Sequence, residues 1–374
     1  MRNVPKLRFK EFSEEWEEKK LGEVLKIGNG KDYKNLEQGE IPVYGTGGLI
    51  TKVNDWLYDG ESVGIGRKGT INKPMFLTGK FWTVDTLFYT YNFNNSIPKF
   101  IYYIFNNIDW LSYNEATGVP SLSKSTILKI KSFFPNLQEQ QKIADFLSSV
   151  DKKISITEEK LGLFKDYKKG IMQKIFNQEL RFKDSNGNNY PEWEEKRLGD
   201  VFSFKQGYQI PFKEQIKTKE KGYVRYLYIS DFFSDKNLLY VKDDGKEKII
   251  ETDIIVANTG NTAGSFYRGK SGILSNNMFN IQNDEKVVTN DFLFQFLGTS
   301  LYSNQLKTFF NSSGQPHLGH KNMSMIIINY PVSFEEQQKI ANFLSSIDNK
   351  IDNLTSELED LKEFKKGLLQ QMFV

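Results

Sequence analysis

The chain contains two copies of one frame, and that duplication limits its possible folds more than any other feature. Trp16-Glu-Glu-Lys-Lys-Leu-Gly-Glu-Val24 returns as Trp193-Glu-Glu-Lys-Arg-Leu-Gly-Asp-Val201, each copy following an Arg-Phe-Lys, at Arg8 and Arg181. Glu139-Gln-Gln-Lys-Ile-Ala-Asp-Phe-Leu-Ser-Ser-Val-Asp-Lys-Lys-Ile154 returns from Glu336 to Ile351 with few changes. Lys168-Lys-Gly170 and Lys365-Lys-Gly367 form a third pair at the same offset as the second. Three matches in the same order, two of them at one offset, mean that one structural unit is used twice.

Between the shared segments the halves diverge. Gly28–Phe134 and Ser203–Tyr330 have in common only scattered signals, such as the exits Thr117-Gly-Val-Pro-Ser-Leu122 and Ser313-Gly-Gln-Pro-His-Leu318. Each exit leads to an apolar strand and a proline, Pro135 or Pro331. Like frames around unlike contents predict two copies of a module that read two different things.

Helical pattern begins just beyond each proline. In the second copy apolar residues fall at Ile340, Leu344, Ile347, Ile351, Leu354, Leu358, Leu361, Leu368 and Met372, with Lys365 in the one missing place. The first copy matches with Ile143, Leu147, Val150, Ile154, Leu161, Phe164, Ile171 and Ile175, interrupted by Thr157 and Lys168. Alternating steps of three and four over several heptads mark a coiled-coil seam. The runs Leu137–Phe176 and Phe334–Phe373 are each about 60 Å long at helical rise. Two amphipathic helices each packed on its own domain are the alternative, but so long a seam needs an equally long partner. An antiparallel pair is preferred: it puts one domain at each end of a rod with a pseudo-twofold axis, where a parallel pair crowds both together. The expected class is α+β, with two recognition domains, 1–136 and 177–333, alternating with helices 137–176 and 334–374.

Composition excludes several chemistries. The chain has no cysteine, hence no disulfide, thiolate metal site or cysteine nucleophile, and only two histidines, His317 and His320. No window is apolar enough for a membrane span, and the N-terminal segment has no signal-peptide core, so a soluble cytoplasmic protein is expected. The net charge of +3 does not by itself announce a nucleic-acid binder. Gly64-Ile-Gly-Arg-Lys-Gly69 fits a bare G-x-G-x-x-G, but Pro74 follows too soon for the helix that a dinucleotide or AdoMet site requires. A tight hairpin turn carrying Arg67 and Lys68 is the better reading. A Walker-type loop and an adenine-methyltransferase motif are absent, and the acidic pairs Glu17/Glu18 and Glu194/Glu195 sit beside lysines as solvated faces. No catalytic constellation and no metal site emerge.

The frame resembles the specificity subunit of type I restriction–modification systems. The resemblance rests on the Trp-Glu-Glu-Lys-Lys/Arg-Leu-Gly segments, the Glu-Gln-Gln-Lys-Ile-Ala-x-Phe-Leu helix starts after proline, and the Lys-Lys-Gly helix ends. Ile41-Pro-Val-Tyr-Gly-Thr-Gly-Gly48, Gly66-Arg-Lys-Gly69, Asp253-Ile-Ile-Val-Ala-Asn-Thr-Gly260 and Gln315-Pro-His-Leu318 add to it. It implies two target-recognition domains, each reading half of a split double-stranded DNA site, with the helices as ruler and as docking surface for two modification subunits. Those partners would carry AdoMet and the adenine-N6 chemistry. Restriction subunits, where present, would bring ATP, Mg and endonuclease activity, so this chain itself holds no cofactor.

For such a reader, polar and basic residues on glycine-rich loops are the expected DNA contacts. In the first domain these are Lys31, Tyr44, Thr46, Arg67, Lys68, Ser121 and Lys124; in the second, Gln209, Arg225, Tyr228, Asn258, Asn261, Gln315, His317 and Lys321. The phenylalanines of Phe292–Phe296 are expected in the core, not as stacking platforms. Two other classes compete: a stand-alone modifying enzyme using the Gly64–Gly69 loop, which would bind AdoMet alone, and a coiled-coil adaptor whose domains bind protein.

Overall fold

The computed structural model describes residues 3–283, 287–310 and 316–374. Two compact units emerge, Met1–Lys160 with Leu354–Val374, and Leu161–Asn353. Each unit thus combines the first half of one long helix with the second half of the other.

In unit 1 the chain forms β1 (Glu17–Lys20), the single turn α1 (Leu21–Val24), β2 (Lys26–Asn29), β3 (Gln38–Gly45), β4 (Gly48–Val53), β5 (Tyr58–Asp59), β6 (Ser62–Gly66), β7 (Met75–Leu77), β8 (Lys80–Thr83) and β9 (Leu87–Tyr91). Then come α2 (Pro98–Asn107), α3 (Lys124–Lys129), β10 (Lys131–Phe134) and the 40-residue α4 (Leu137–Phe176). One sheet has the order β2-β9-β6-β7, a second β4-β3-β8-β5, and β1 pairs with β10. The strand β6 is buried along its whole length, consistent with a central position. Pro98 opens α2 at a position where its missing N–H costs nothing. The apolar face of α2, with Phe100, Ile101, Ile104 and Phe105, packs into the core of the unit.

Unit 2 repeats this plan with β11 (Trp193–Arg197), β12 (Ser203–Gln206), β13 (Tyr223–Leu227), β14 (Leu239–Lys242), β15 (Ile254–Ala257), β16 (Phe266–Tyr267), β17 (Ile273–Leu274) and β18 (Met278–Gln282). It closes with α5 (Asn290–Leu297), α6 (Ser300–Lys307), α7 (His320–Ser324), β19 (Ile327–Pro331) and α8 (Phe334–Met372). Its sheets are β12-β18-β15-β16, β14-β13-β17 and β11-β19. The parallel pair β3 with β8 has its counterpart in β13 with β17. Regions that share little sequence therefore share the order of one four-stranded sheet and the parallel pairing of the other, and as expected Phe292 and Phe296 lie in the core.

Two glycines show why the repeat survives where β2 and β12 end. A Cβ on Gly30 would lie 1.9 Å from the Val84 carbonyl oxygen, and one on Gly207 would lie 2.1 Å from that of Ser275. In both units the backbone passes too close for any side chain.

The long helices meet antiparallel within each unit. In unit 1 Asp151 pairs with Lys365 at 2.6 Å and Glu158 with Lys362 at 2.7 Å, so numbers rise along α4 as they fall along α8. In unit 2 Lys168 pairs with Asp348 at 2.5 Å. The two lysines that interrupt the apolar pattern are thus ion-paired across the seam. The repeated tryptophans pack at the helix ends: Trp16 lies 6.2 Å from Phe373, and Trp193 6.2 Å from Phe176, edge to face. Among the described residues, no helix is long and apolar enough to cross a membrane.

Candidate nucleic-acid interface

The Gly64–Gly69 motif lies in a strand–loop–strand. β6 pairs with β7 only from Ser62–Leu77 to Gly64–Met75, so the hairpin is wide, not the tight turn expected from the sequence. Its loop is occupied by the exit segment. Leu122 N donates to Arg67 O at 2.9 Å and Gly69 N to Pro120 O at 2.8 Å, while Lys68 faces Ser121 in an antiparallel bridge. No helix follows the glycines, so the loop lacks what a dinucleotide or AdoMet site would need.

Unit 2 makes the same three connections. Leu318 N donates to Asn258 O at 2.8 Å and Gly260 N to Pro316 O at 2.9 Å, while Thr259 faces His317. Position for position, Arg67 corresponds to Asn258, Lys68 to Thr259, Ser121 to His317 and Lys124 to His320. Strand pairing extends the match: Ile65 and Asn29 flank Phe88 as Val256 and Gln206 flank Phe279. The same loop pair sits at the same strand ends in both units, carrying different side chains.

In unit 1 this corner is a cleft of about 740 Å³ lined by Asn29, Arg67, Lys68, Phe88, Ser121 and Lys124, among others. The Arg67 guanidinium lies 5.9 Å and the Lys124 ammonium 5.8 Å from the centre of the Phe88 ring. Among the described residues none of Arg67, Lys68 and Lys124 makes an ion pair. Burial and then the charge of Arg67 lower the pKa of Lys124, as expected for like charges held together without a counterion. Ser123 caps α3 by accepting from Thr126 N at 3.1 Å, which fixes the start of the turn that carries Lys124.

In unit 2 the equivalents of Arg67, Lys68 and Lys124 carry no lysine or arginine, and Gln206, Asn258 and Thr259 hydrogen-bond to one another. Gln206 Nε2 donates to the Asn276 and Met278 carbonyls at 2.6 and 3.0 Å, which turns its Oε1 toward Asn258 Nδ2 at 3.2 Å. Thr259 Oγ1 donates to Asn258 Oδ1 at 2.6 Å. His320 packs edge-on against Phe279, 4.9 Å away, and its Nε2 has no partner. Burial, and then His317, hold its pKa below the ordinary imidazole value.

The remaining sequence candidates fall in several places. Thr46 is at the β3–β4 turn, 3.9 Å from where a Gly69 Cβ would be, beside the loop that carries Arg67 and Lys68. Lys31 is exposed just beyond β2, and its carbonyl accepts from Trp82 Nε1 at 2.8 Å. Tyr44 is half-buried within β3. Gln209, Asn261, His317 and Lys321 are exposed around the unit 2 corner or the strands leading to it, whereas Asn258 is buried and points inward. Arg225 is committed to Asp231 at 3.0 Å and Asp235 at 2.6 Å, which leaves its guanidinium engaged inside the unit. Tyr228 donates to Gln215 Oε1 at 3.2 Å and packs beside Tyr226. Gln315 lies outside the described residues. The geometry adds Asn29, Phe88, Gln206, Thr259 and His320, which residue types alone did not single out. Asn29 and Gln206 did carry a signal, an amide just before Gly30 and Gly207 at the spacing of the two tryptophans. Among the described residues no group of three or more His, Asp or Glu side chains could hold a metal.

A family model described as type I restriction modification DNA specificity domain matches residues 13–162 and 190–363. The type I restriction enzyme MjaVIII specificity subunit of Methanocaldococcus jannaschii is 34% identical over 208 residues, covering 54% of this chain and 47% of that protein. In that match the chain spans about half the relative's length. The putative type I restriction enzyme MjaX specificity subunit of the same organism is 26% identical over 317 residues, 79% of this chain and 71% of its own. The crystal structure of the type I restriction–modification S subunit from M. genitalium superposes with a TM-score of 0.73 at 17% identity, covering 99% of both chains, and so shares the fold. With most of both repeats matched by the family model, the chain belongs to the type I restriction–modification DNA specificity family.

Proposed function

We propose that each unit reads one half of a bipartite double-stranded DNA site and that the chain directs partner subunits to it in the cytoplasm. The observation that carries this reading is the equivalent loop pair, placed identically in both units but carrying different side chains. A duplicated frame with exchanged side chains is what two independent readers require. The cationic cleft beside Phe88 suits phosphate and base edges together. Two modification subunits would bring AdoMet and transfer a methyl group to adenine N6. Restriction subunits would bring ATP, Mg and cleavage. The contribution of this chain is recognition.

Genome-wide mapping of methylated adenines tests this, in cells expressing the chain with its modification subunit and in cells lacking the chain. A split motif with a fixed gap that disappears with the chain is expected. An assembled complex with no chain-dependent motif would leave the adaptor reading in its place.

A further inference from the structure

The equivalence of the two corners has an electrostatic consequence. Position 67 projects an exposed guanidinium, while its counterpart Asn258 is an amide turned inward onto Gln206. Position 68 is an exposed ammonium, and its counterpart Thr259 is a hydroxyl bonded to Asn258. Position 124 is an ammonium against Phe88, and its counterpart His320 is an imidazole against Phe279. Unit 2 keeps one cation at this corner, Lys321, where unit 1 has Ser125.

We infer that the two units divide the work of binding: the Arg67–Lys68–Lys124 corner holds its half-site largely by phosphate charge, and the Asn258–Thr259–His317–His320 corner by neutral hydrogen bonding. This deepens the proposed function and rests on it. Side chains on phosphates release counterions and make binding fall with salt, whereas neutral hydrogen bonds to base edges carry discrimination with little salt dependence. Unit 1 therefore supplies most of the salt-sensitive grip at these positions. Unit 2 contributes a rigid pattern: Gln206 is fixed by two carbonyls, Asn258 is fixed by Gln206, and Thr259 and His317 are presented on the loop pair that Asn258 anchors. Phe88 and Phe279 form the common apolar floor, so the contrast comes from the groups above it.

The test uses the full chain assembled with its modification subunits and measures equilibrium binding to the bipartite site across a KCl series. Replacing Arg67→Asn and Lys124→Gln should reduce the slope of log K against log salt by roughly two, about 0.9 for each phosphate that is no longer neutralised. Replacing Thr259→Ala and His317→Ala should weaken binding to the cognate half-site and leave the slope as it was. All four residues lie at the surface or the rim, and unchanged melting of the variant complexes would establish that they fold. An unchanged slope for the first pair, or an equal drop for the second, overturns the division of labour while the two-reader function stands. Absence of any sequence-specific DNA binding by the unaltered complex removes both.

Discussion

Arg8 grips Glu139 through two parallel hydrogen bonds, Nε to Oε1 and Nη2 to Oε2, both 2.7 Å long, with the carboxylate almost entirely buried. Arg181 holds Glu336 in the same way, at 3.1 and 2.9 Å. The repeated Arg-Phe-Lys thus docks on the repeated helix start: Phe9 meets Phe146 and Phe182 meets Phe343, both edge to face. The next residue completes the joint, since Gln140 Nε2 donates to Pro135 O and Gln337 Nε2 to Pro331 O. The bidentate bond to Glu139 is the leading cause of the raised pKa of Arg8.

Removing one member of this pair leaves a buried charge without its partner. Arg8→Ala should destabilise unit 1 by about 3 kcal/mol, and a joint Arg8→Met, Glu139→Met change should restore much of that. Urea unfolding of the assembled complex, followed by exchange of unit 1 amides, measures it. A double variant as unstable as the single one would refute the unpaired-charge account.

The seam lysines invite a charge swap. Lys365→Glu places two carboxylates together at Asp151, where Tyr103 Oη also donates to the same aspartate at 2.8 Å. The loss should be on the order of 1 kcal/mol, and adding Asp151→Lys should return part of it. Lys168 and Asp348 should behave alike. Thermal melting at low and high salt checks both, with the smaller loss expected at high salt.

Gly30→Ala and Gly207→Ala each force a methyl group against a backbone carbonyl. Because the obstruction is main chain and not a flexible side chain, each substitution should cost about 3 kcal/mol and fall on one unit. Hydrogen exchange should show unit 1 loosened by the first and unit 2 by the second. Equal loosening of both units in either variant would contradict the assignment of each glycine to its own unit.

His320 should make unit 2 acid-sensitive. Its pKa is lowered in the fold, so the unfolded chain takes up a proton at a higher pH than the folded unit does. That contribution to stability is complete above the ordinary imidazole value, about 6.5, and is lost as the pH falls through the folded value. His320→Phe, set among Phe204 and Phe279, should remove this part of the acid dependence. Melting temperature against pH for the two proteins reads it directly; parallel curves through the weakly acidic range would count against it.

The frame was legible in the sequence because the same motifs recur in the same order, and the seam because burial repeats with the helix. The positions at the loop corners were less so. Trp16 to Trp193 and Asn29 to Gln206 are both steps of 177 residues, but Arg67 to Asn258 is 191 and Leu122 to Leu318 is 196. Insertions in the connections shift the register, so the match between Arg67 and Asn258 becomes visible only through the backbone bonds that both make to the exit segments. Arg225 illustrates the converse: its residue type suits base reading, yet Asp231 and Asp235, six and ten residues further along the chain, pair with it, which depends on how the intervening turn folds.

Exchange of one reader should leave the other untouched. Replacing residues 26–130 with the matching segment of another specificity protein keeps β1, β10 and both long helices native. It also cuts across the contacts with α4: Gln140 bonds to main-chain groups of Asn95 and Ile97, which any donor offers, and Tyr103 on α2 bonds to Asp151 and Ser148. Unit 2 meets the same helix positions with an amide, Gln295 to Asp348 and Ser345, so a donor needs a hydroxyl or amide there. With that condition met, the methylated motif should change in one half only, and the gap should persist, since neither helix is altered. Methylome sequencing of cells carrying the chimera decides it: a change in both halves would mean that the two units do not read independently.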